Sequence, residues 1–227
     1  MTDLFRKLFG KKEEPVKQIQ VDMATTAPLT DQQISSIVAI QNLKSETKQL
    51  MAGVGQSVGK QRDHNEDSVL SLTSTMAGSA ESIPFGLYIV ADGMGGHQFG
   101  EVASNAAIRI MGGNITKKFH SYLYSLPTQS LQESLQEVME TSITEAHQYV
   151  QREAPGSGTT VTAALVLGQQ VTIAHVGDSR AYSIYPDGRI DTITRDHSLV
   201  KRLEELGHLS KDEAENFPHR NVLIRAL

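Results

Sequence analysis

Acidic residues fall in the chain where a divalent cation would need them, and an arginine where a phosphate group would. The first stretch is Ala91-Asp92-Gly93-Met94-Gly95-Gly96-His97, directly after the apolar run 87–90. A strand over 85–91 would deliver Asp92 to the top of a sheet, and the glycines let the backbone turn sharply and approach a ligand. A carboxylate followed by an exposed glycine carbonyl, Asp92 then Gly93, is a hard-oxygen pair suited to Mg²⁺ or Mn²⁺. A phosphate-cradling glycine loop competes with this reading, but no Gly-Lys-Ser/Thr follows. A plain tight turn is the remaining alternative.

The second stretch is Arg62-Asp63-His64-Asn65-Glu66-Asp67, just ahead of Ser68-Val69-Leu70. Arginine offers phosphate a bidentate fork, while Glu66 and Asp67 offer carboxylates to a cation. The spacing of Asp63, Asn65 and Asp67 begins like an EF-hand loop, but Ser68 stands where that loop needs glycine. The competing reading is a charged, solvated loop. The third stretch is Gly177-Asp178-Ser179-Arg180, between two expected strands, where an acid is ordinarily a turn residue. Asp196-His197 reads as a capping or loop-stabilising pair.

Elements must bring these loops together. Strands are expected over 66–73, 85–91, 159–167, 171–175, 180–185 and 189–194, the last two joined by a Pro186-Asp187-Gly188 turn. Helical spacing covers 101–111, with a start near His97, and 129–152, where Leu131, Leu135, Val138, Met139, Ile143 and Ala146 form one apolar stripe. Residues 198–206 also read as helical, and Ser210 with Glu213 forms a capping box for a short helix. Strands grouped apart from long helices argue for an α+β fold.

Residues 1–50 differ in texture and read as an N-terminal tail and linker, with one helix near 31–50. Leu4, Phe5, Leu8 and Phe9 alternate with Arg6, Lys7, Lys11 and Lys12. Residues 1–12 are read as a solvated tail, with membrane association through a basic amphipathic helix as the alternative. The texture changes near residue 51, and one domain is expected from there to 227.

Composition closes off several classes. The 227-residue chain has no cysteine, which removes disulfides, thiolate metal sites and any cysteine nucleophile. A formal net charge of −5 gives no reason to expect nucleic-acid binding. No apolar run approaches a membrane span and no signal-peptide core is visible. A cytoplasmic monomer is the expectation.

The order of the motifs is more specific than any one of them. Arg62-x-x-x-Glu66-Asp67, then Asp92-Gly-x-Gly-Gly, Ser157-Gly158-Thr159-Thr160, Gly177-Asp178-Ser179-Arg180, Asp196-His197 and His219-Arg220-Asn221 with Arg225 follow one another along the chain. This ordered set resembles the PPM, or type 2C, family of metal-dependent protein serine/threonine phosphatases, especially its bacterial members, over about residues 53–227. The resemblance implies a two-sheet β-sandwich flanked by helical layers, with two Mn²⁺ or Mg²⁺ ions, and a third on occasion, in a cleft at one end. It implies that Asp92 bridges two ions, that the Gly93 carbonyl binds one, that Glu66 binds the second and that Asp67 supports the cluster. Arg62 would hold the substrate phosphate, Asp178 would help to hold a third ion, and 196–217 would match the flap beside the cleft. Phosphorylated proteins, the substrates of serine/threonine kinases, would be the partners.

The chain departs from the family pattern in two places. Met94 stands where some members place a histidine as candidate general acid, so the acid must come from elsewhere, such as metal-bound water; His97 is not assigned that role. The pattern also calls for two later aspartates, in an Asp-Gly turn and an Asp-Asn pair, and the chain stops at Arg225-Ala226-Leu227 before either. The expectation is a fragment of a longer chain, incomplete at its C-terminus, with the final strands missing. Two functions therefore stand side by side. One is hydrolysis of phosphoserine and phosphothreonine in proteins by a metal-activated water. The other is a catalytically impaired form that serves as a phosphoprotein-binding module.

Overall fold

The computed structural model describes residues 30, 49–60, 62–77, 82–95, 99–127 and 130–227. The chain divides into two compact units, Met1–Glu46 and Thr47–Leu227. The basic stretch 1–12, His97 and nearly all of the expected helix near 31–50 lie outside the described residues.

The second unit is organised by a long hairpin. Strand β1 (Asp67–Ala77) pairs antiparallel with β2 (Ser82–Met94) in unbroken register from Asp67↔Asp92 to Ala77↔Ser82. The short β3 (Gly158–Thr159) pairs with the end of β2, opposite Gly93 and Met94. Strand β4 (Val161–Leu167) lies along the free side of β2, and β5 (Gln170–Val176) pairs with β4, both antiparallel. The sheet order is β1-β2-β4-β5.

Side chains alternate across a strand, so one face of β2 carries Phe85, Leu87, Ile89 and Ala91, all buried. Two long helices cover that face, α1 (Phe99–Tyr124) and α2 (Leu135–Glu153). Met111, Ile115 and Phe119 from α1 meet Leu135, Val138 and Met139 from α2 over Val161, Ala163 and Leu165 of β4. The Phe85 and Phe119 rings pack with centroids 5.3 Å apart. Each large apolar side chain buried there contributes about 1.5–3 kcal/mol. On the opposite face Val90 remains 47% exposed.

The remaining elements are small. Strands β6 (Tyr182–Ile184) and β7 (Ile190–Thr192) form a separate two-stranded ribbon around Gly188, whose φ of 86° suits glycine. Helix α3 (Leu199–Glu205) is capped by Ser198, and α4 (Lys211–Glu215) carries the expected Ser210–Glu213 capping box. Leu227 is buried and its N–H donates to the Thr159 carbonyl at 2.9 Å.

The α+β class agrees with expectation, with antiparallel strands grouped apart from long helices. Among the described residues the sandwich takes the form of one five-stranded sheet, the ribbon, and long helices on one face. Two helix boundaries differ from those read in the sequence. Helix α1 runs thirteen residues past Met111, through Gly112-Gly113 to Tyr124. Helix α2 begins at Leu135 instead of Gln129, because Ser134 accepts from the Glu137 N–H and Glu137 returns a bond to the Ser134 N–H.

Candidate metal centre

The β1–β2 pairing places Asp67 directly across from Asp92. Side chains directly opposite on an antiparallel pair share a face and lie within reach of one another. The Gly177–Asp178 turn, reached from β5, adds a third carboxylate whose charge is felt at Asp92. Burial, then the Asp67 charge and a hydrogen bond to Asp67, then the Asp178 charge raise the Asp92 carboxyl from its ordinary 3.8 to about 6; Arg62 opposes them. Two of the acids read from the sequence, Asp67 and Asp178, thus act electrostatically on a third, Asp92.

Backbone bonds fix Asp92 from behind. Its N–H donates to Thr160 Oγ1 at 3.1 Å, and its carbonyl accepts from the Thr160 N–H at 2.9 Å and from Thr159 Oγ1 at 3.0 Å. Thr160 Oγ1 lies 2.7 Å from Ser179 Oγ, and Thr162 Oγ1 donates to the Ser179 carbonyl at 3.1 Å. The Ser157-Gly158-Thr159-Thr160 motif therefore ties the Asp92 strand to the Asp178 turn. Gly93 is wedged where no side chain fits: a Cβ there would lie 2.5 Å from the Glu66 carbonyl oxygen and would collide with the Gly100 backbone. Its N–H donates to that same Glu66 carbonyl at 3.2 Å.

Glu66 and Arg62 are placed differently from Asp92. Glu66 is buried, and its Oε2 accepts from Arg62 Nη1 at 2.6 Å. Its Oε1 points toward Gly100 at the start of α1. Ser104 Oγ donates to the Glu66 carbonyl at 2.6 Å and lies 2.9 Å from Ser68 Oγ. The Arg62 side chain remains 62% exposed. The expected phosphate clamp and one expected metal ligand are thus paired with each other. Ser104, which holds the Glu66 backbone, has no signature in sequence that separates it from ordinary polar residues, whereas Thr160, which holds Asp92, stands in the Ser157-Gly158-Thr159-Thr160 motif.

The Asp196-His197 pair stabilises loops, as read. Arg180 forks onto Asp196, Nε to Oδ1 at 2.9 Å and Nη2 to Oδ2 at 2.6 Å. The His197 N–H donates to the Gly177 carbonyl at 2.7 Å, and His197 Nδ1 accepts from the Gly177 N–H at 3.2 Å. The His197 ring stacks on His175, with centroids 5.1 Å apart. Burial, followed by the nearby His175, holds the His197 imidazole below its ordinary value.

Among the described residues no three His, Asp or Glu side chains stand close enough to grip one ion together. The donor set still fits a hard cation. Asp67 and Asp92 are adjacent oxygen donors, Asp178 adds negative charge, and the strain in the arrangement is mutual repulsion, which a divalent ion would relieve.

A sequence model of the family described as "Protein phosphatase 2C" matches residues 51–206. The serine/threonine phosphatase stp of Listeria innocua is 38% identical over 170 residues, which cover 74% of this chain and 63% of that protein. The crystal structure of serine/threonine phosphatase Stp1 from Staphylococcus aureus is 32% identical, with a TM-score of 0.55, covering 75% of this chain and 63% of that one. The catalytic domain of the serine/threonine protein phosphatase PstP, solved in complex with two manganese ions, is 29% identical with a TM-score of 0.52, covering 74% and 62%. The chain thus spans a little under two thirds of each of these three proteins.

Proposed function

The chain belongs to the protein phosphatase 2C family, and from that premise we propose that it hydrolyses phosphoserine and phosphothreonine esters in proteins at a centre of divalent cations built on Asp92. The observation that carries this reading is the crowding of Asp67, Asp92 and Asp178, which leaves Asp92 half-neutralised near pH 6. Uncompensated carboxylates of this kind are costly to a fold and mark functional sites.

Asp92 would hold the ions, with Asp67 and Asp178 beside it and Glu66 and the Gly93 carbonyl as further donors. Mn²⁺ or Mg²⁺ bound there would neutralise charge on the phosphoryl oxygens and acidify a water to serve as nucleophile at neutral pH. The protein's own part is placement. Thr159 and Thr160 hold the Asp92 backbone, so its carboxylate needs no reorganisation when charge develops. Arg62, largely exposed on its stem, can swing from Glu66 to a substrate phosphate and bind it through two N–H donors. That exchange frees Glu66 as Arg62 engages the substrate.

The test is release of phosphate from a phosphothreonine peptide with and without Mn²⁺. Metal-dependent turnover that is lost in Asp92→Asn supports the proposal. Undiminished turnover in that variant sinks it. Tight phosphopeptide binding through Arg62 with no turnover at any metal concentration would favour the binding-module reading instead.

A further inference from the structure

A groove of about 1470 Å³ runs between α1 and α2. It starts at Asp63 and His64, next to Arg62, and continues along α1 through Phe99, Val102 and Arg109 to Tyr149 and Glu153 near the end of α2. Phe99 and Val102 of α1 and Tyr149 of α2 are 52%, 45% and 38% exposed, so apolar surface lines the cleft from both helices, with the Arg152 guanidinium 5.2 Å from the Tyr149 ring centroid. The floor is closed, since Ala103 and Ala106 pack there on Val150 and Ala154.

The groove's charge is mainly acidic. Asp63, Glu101 and Glu153 line it against Arg109 and His64. Asp63 is engaged by His64 at 2.8 Å and Glu153 by Arg152 at 2.8 Å. Arg109 is turned onto Asn105 at 2.6 Å. Glu101 has no ion-pair partner among the described residues and stands exposed in the first turn of α1, one residue before Val102. From Phe99 to Arg109 the helix rises roughly 15 Å, the span of about five extended residues.

We propose that this groove holds the segment of substrate protein flanking the phosphorylated residue, and that it selects a segment with an apolar residue for the Phe99–Val102–Tyr149 wall and a basic residue for Glu101. The inference rests on the phosphatase reading, because it takes the phosphate to lie at Arg62 and the flanking chain to leave along α1. Apolar wall, acidic rim and a terminus beside the phosphate clamp together fit a basic, partly apolar peptide in an extended form.

The experiment compares two phosphothreonine peptides, one with Lys and Leu flanks and one with Glu and Ser flanks, against p-nitrophenyl phosphate, which has no flank to dock. The full chain with Mn²⁺ is measured beside Glu101→Lys and Val102→Asp. Glu101→Lys is expected to cut kcat/KM for the basic peptide roughly fivefold and to shift preference toward the acidic one. Val102→Asp is expected to cut it about tenfold. Turnover of p-nitrophenyl phosphate should change less than twofold in both. Equal losses on all three substrates, or an unchanged peptide preference in Glu101→Lys, would overturn the groove assignment. Fluorescence anisotropy of the labelled peptides separates this from the phosphatase reading: absent turnover with a charge-dependent preference that Glu101→Lys reverses keeps the groove and rejects the catalysis, while turnover with no such preference does the opposite.

Discussion

Asp67 and Asp92 are direct cross-strand partners at the end of the β1–β2 hairpin. Like charges directly opposite on an antiparallel pair destabilise it. The same register that puts Leu70 opposite Ile89 over the helices fixes this acidic pair, so the core and the site are set by one alignment. A slip of one residue would turn every core side chain of β2 to the wrong face. The hairpin thus holds the repulsion in place with the apolar face it buries.

Removing the central charge should therefore separate stability from activity. Asp92→Asn keeps the shape and relieves the repulsion from Asp67 and Asp178. In EDTA its urea midpoint is expected to exceed that of the parent by an amount equivalent to about 0.5–1 kcal/mol. Its Mn²⁺-dependent phosphate release should fall by at least about 100-fold, more than loss of a supporting group around a metal costs. A variant that is less stable in EDTA than the parent would show that Asp92 is not strained by its neighbours.

The pH dependence has a definite sign. With Asp92 raised to about 6 from an ordinary 3.8, the folded chain binds more protons than the unfolded chain between those values. Metal-free stability should then decline as pH rises from about 4 to about 6 and flatten above, through this group. The Asp92 residue reaches solvent although its neighbours partly desolvate the carboxyl, so the screened effect is on the order of 1 kcal/mol. Mn²⁺ competes with that proton. Its affinity should climb by up to about tenfold per pH unit below 6 and level off above. Urea titrations with EDTA, paired with calorimetric Mn²⁺ titrations at matching pH, measure both slopes.

Much of this architecture could be read from residue types, and the exceptions have physical causes. The apolar alternation of 85–91 and the Ser210–Glu213 box translate directly into β2 and the cap of α4. The end of α1 was hidden because Gly112-Gly113 lowers helix propensity. In the fold Gly112 is needed for close packing, since a Cβ there would lie 2.7 Å from Leu70 Cδ1. The convergence of Asp92 and Asp178 rests on Thr160 and Ser179 bonding across strands, a long-range relation that no local spacing encodes. The Arg62–Glu66 pair was legible as proximity, four residues apart, but not as a mutual bond.

That bond predicts how Arg62 behaves on substitution. Arg62→Ala should raise KM for a phosphothreonine peptide about tenfold or more, as expected for a lost charged phosphate contact. Arg62→Lys should recover only part of the loss, because an ammonium lacks the planar fork. Glu66→Gln weakens the competitor for the guanidinium, so inorganic phosphate should inhibit that variant at lower concentration than the parent. Steady-state kinetics with phosphate as inhibitor compares all three proteins.

Two glycines offer a contrast within one method. Gly93→Ala would press a methyl against the Glu66 carbonyl and the Gly100 backbone, neither of which can rotate away. A loss of about 2 kcal/mol or more is expected, at the upper part of the overpacking range. Gly113→Ala, on α1 with nothing within 4 Å of the added atom, should instead gain about 0.5–1 kcal/mol from helix propensity. Urea midpoints that moved in the same direction would contradict the packing around Gly93.

His197 holds the Asp178 turn by two bonds to a single residue, its N–H to the Gly177 carbonyl and its ring to the Gly177 N–H. Only the neutral imidazole can accept the second bond at Nδ1. Burial and His175 already hold its titration below the ordinary 6.5. The unfolded chain therefore takes up a proton here before the folded one does, and stability from this group falls as pH drops through about 6.5. His197→Ala should cost about 1 kcal/mol and leave the turn looser. It should also remove that acid-side loss. His197→Asn, whose side-chain oxygen can accept from the same N–H, should recover part of the stability without the pH dependence. Proton-titration shifts of His197 in the NMR spectrum, read beside urea midpoints at pH 5.5 and 7.5, decide the matter; an imidazole that titrates at or above 6.5 would show that the ring does not hold the turn.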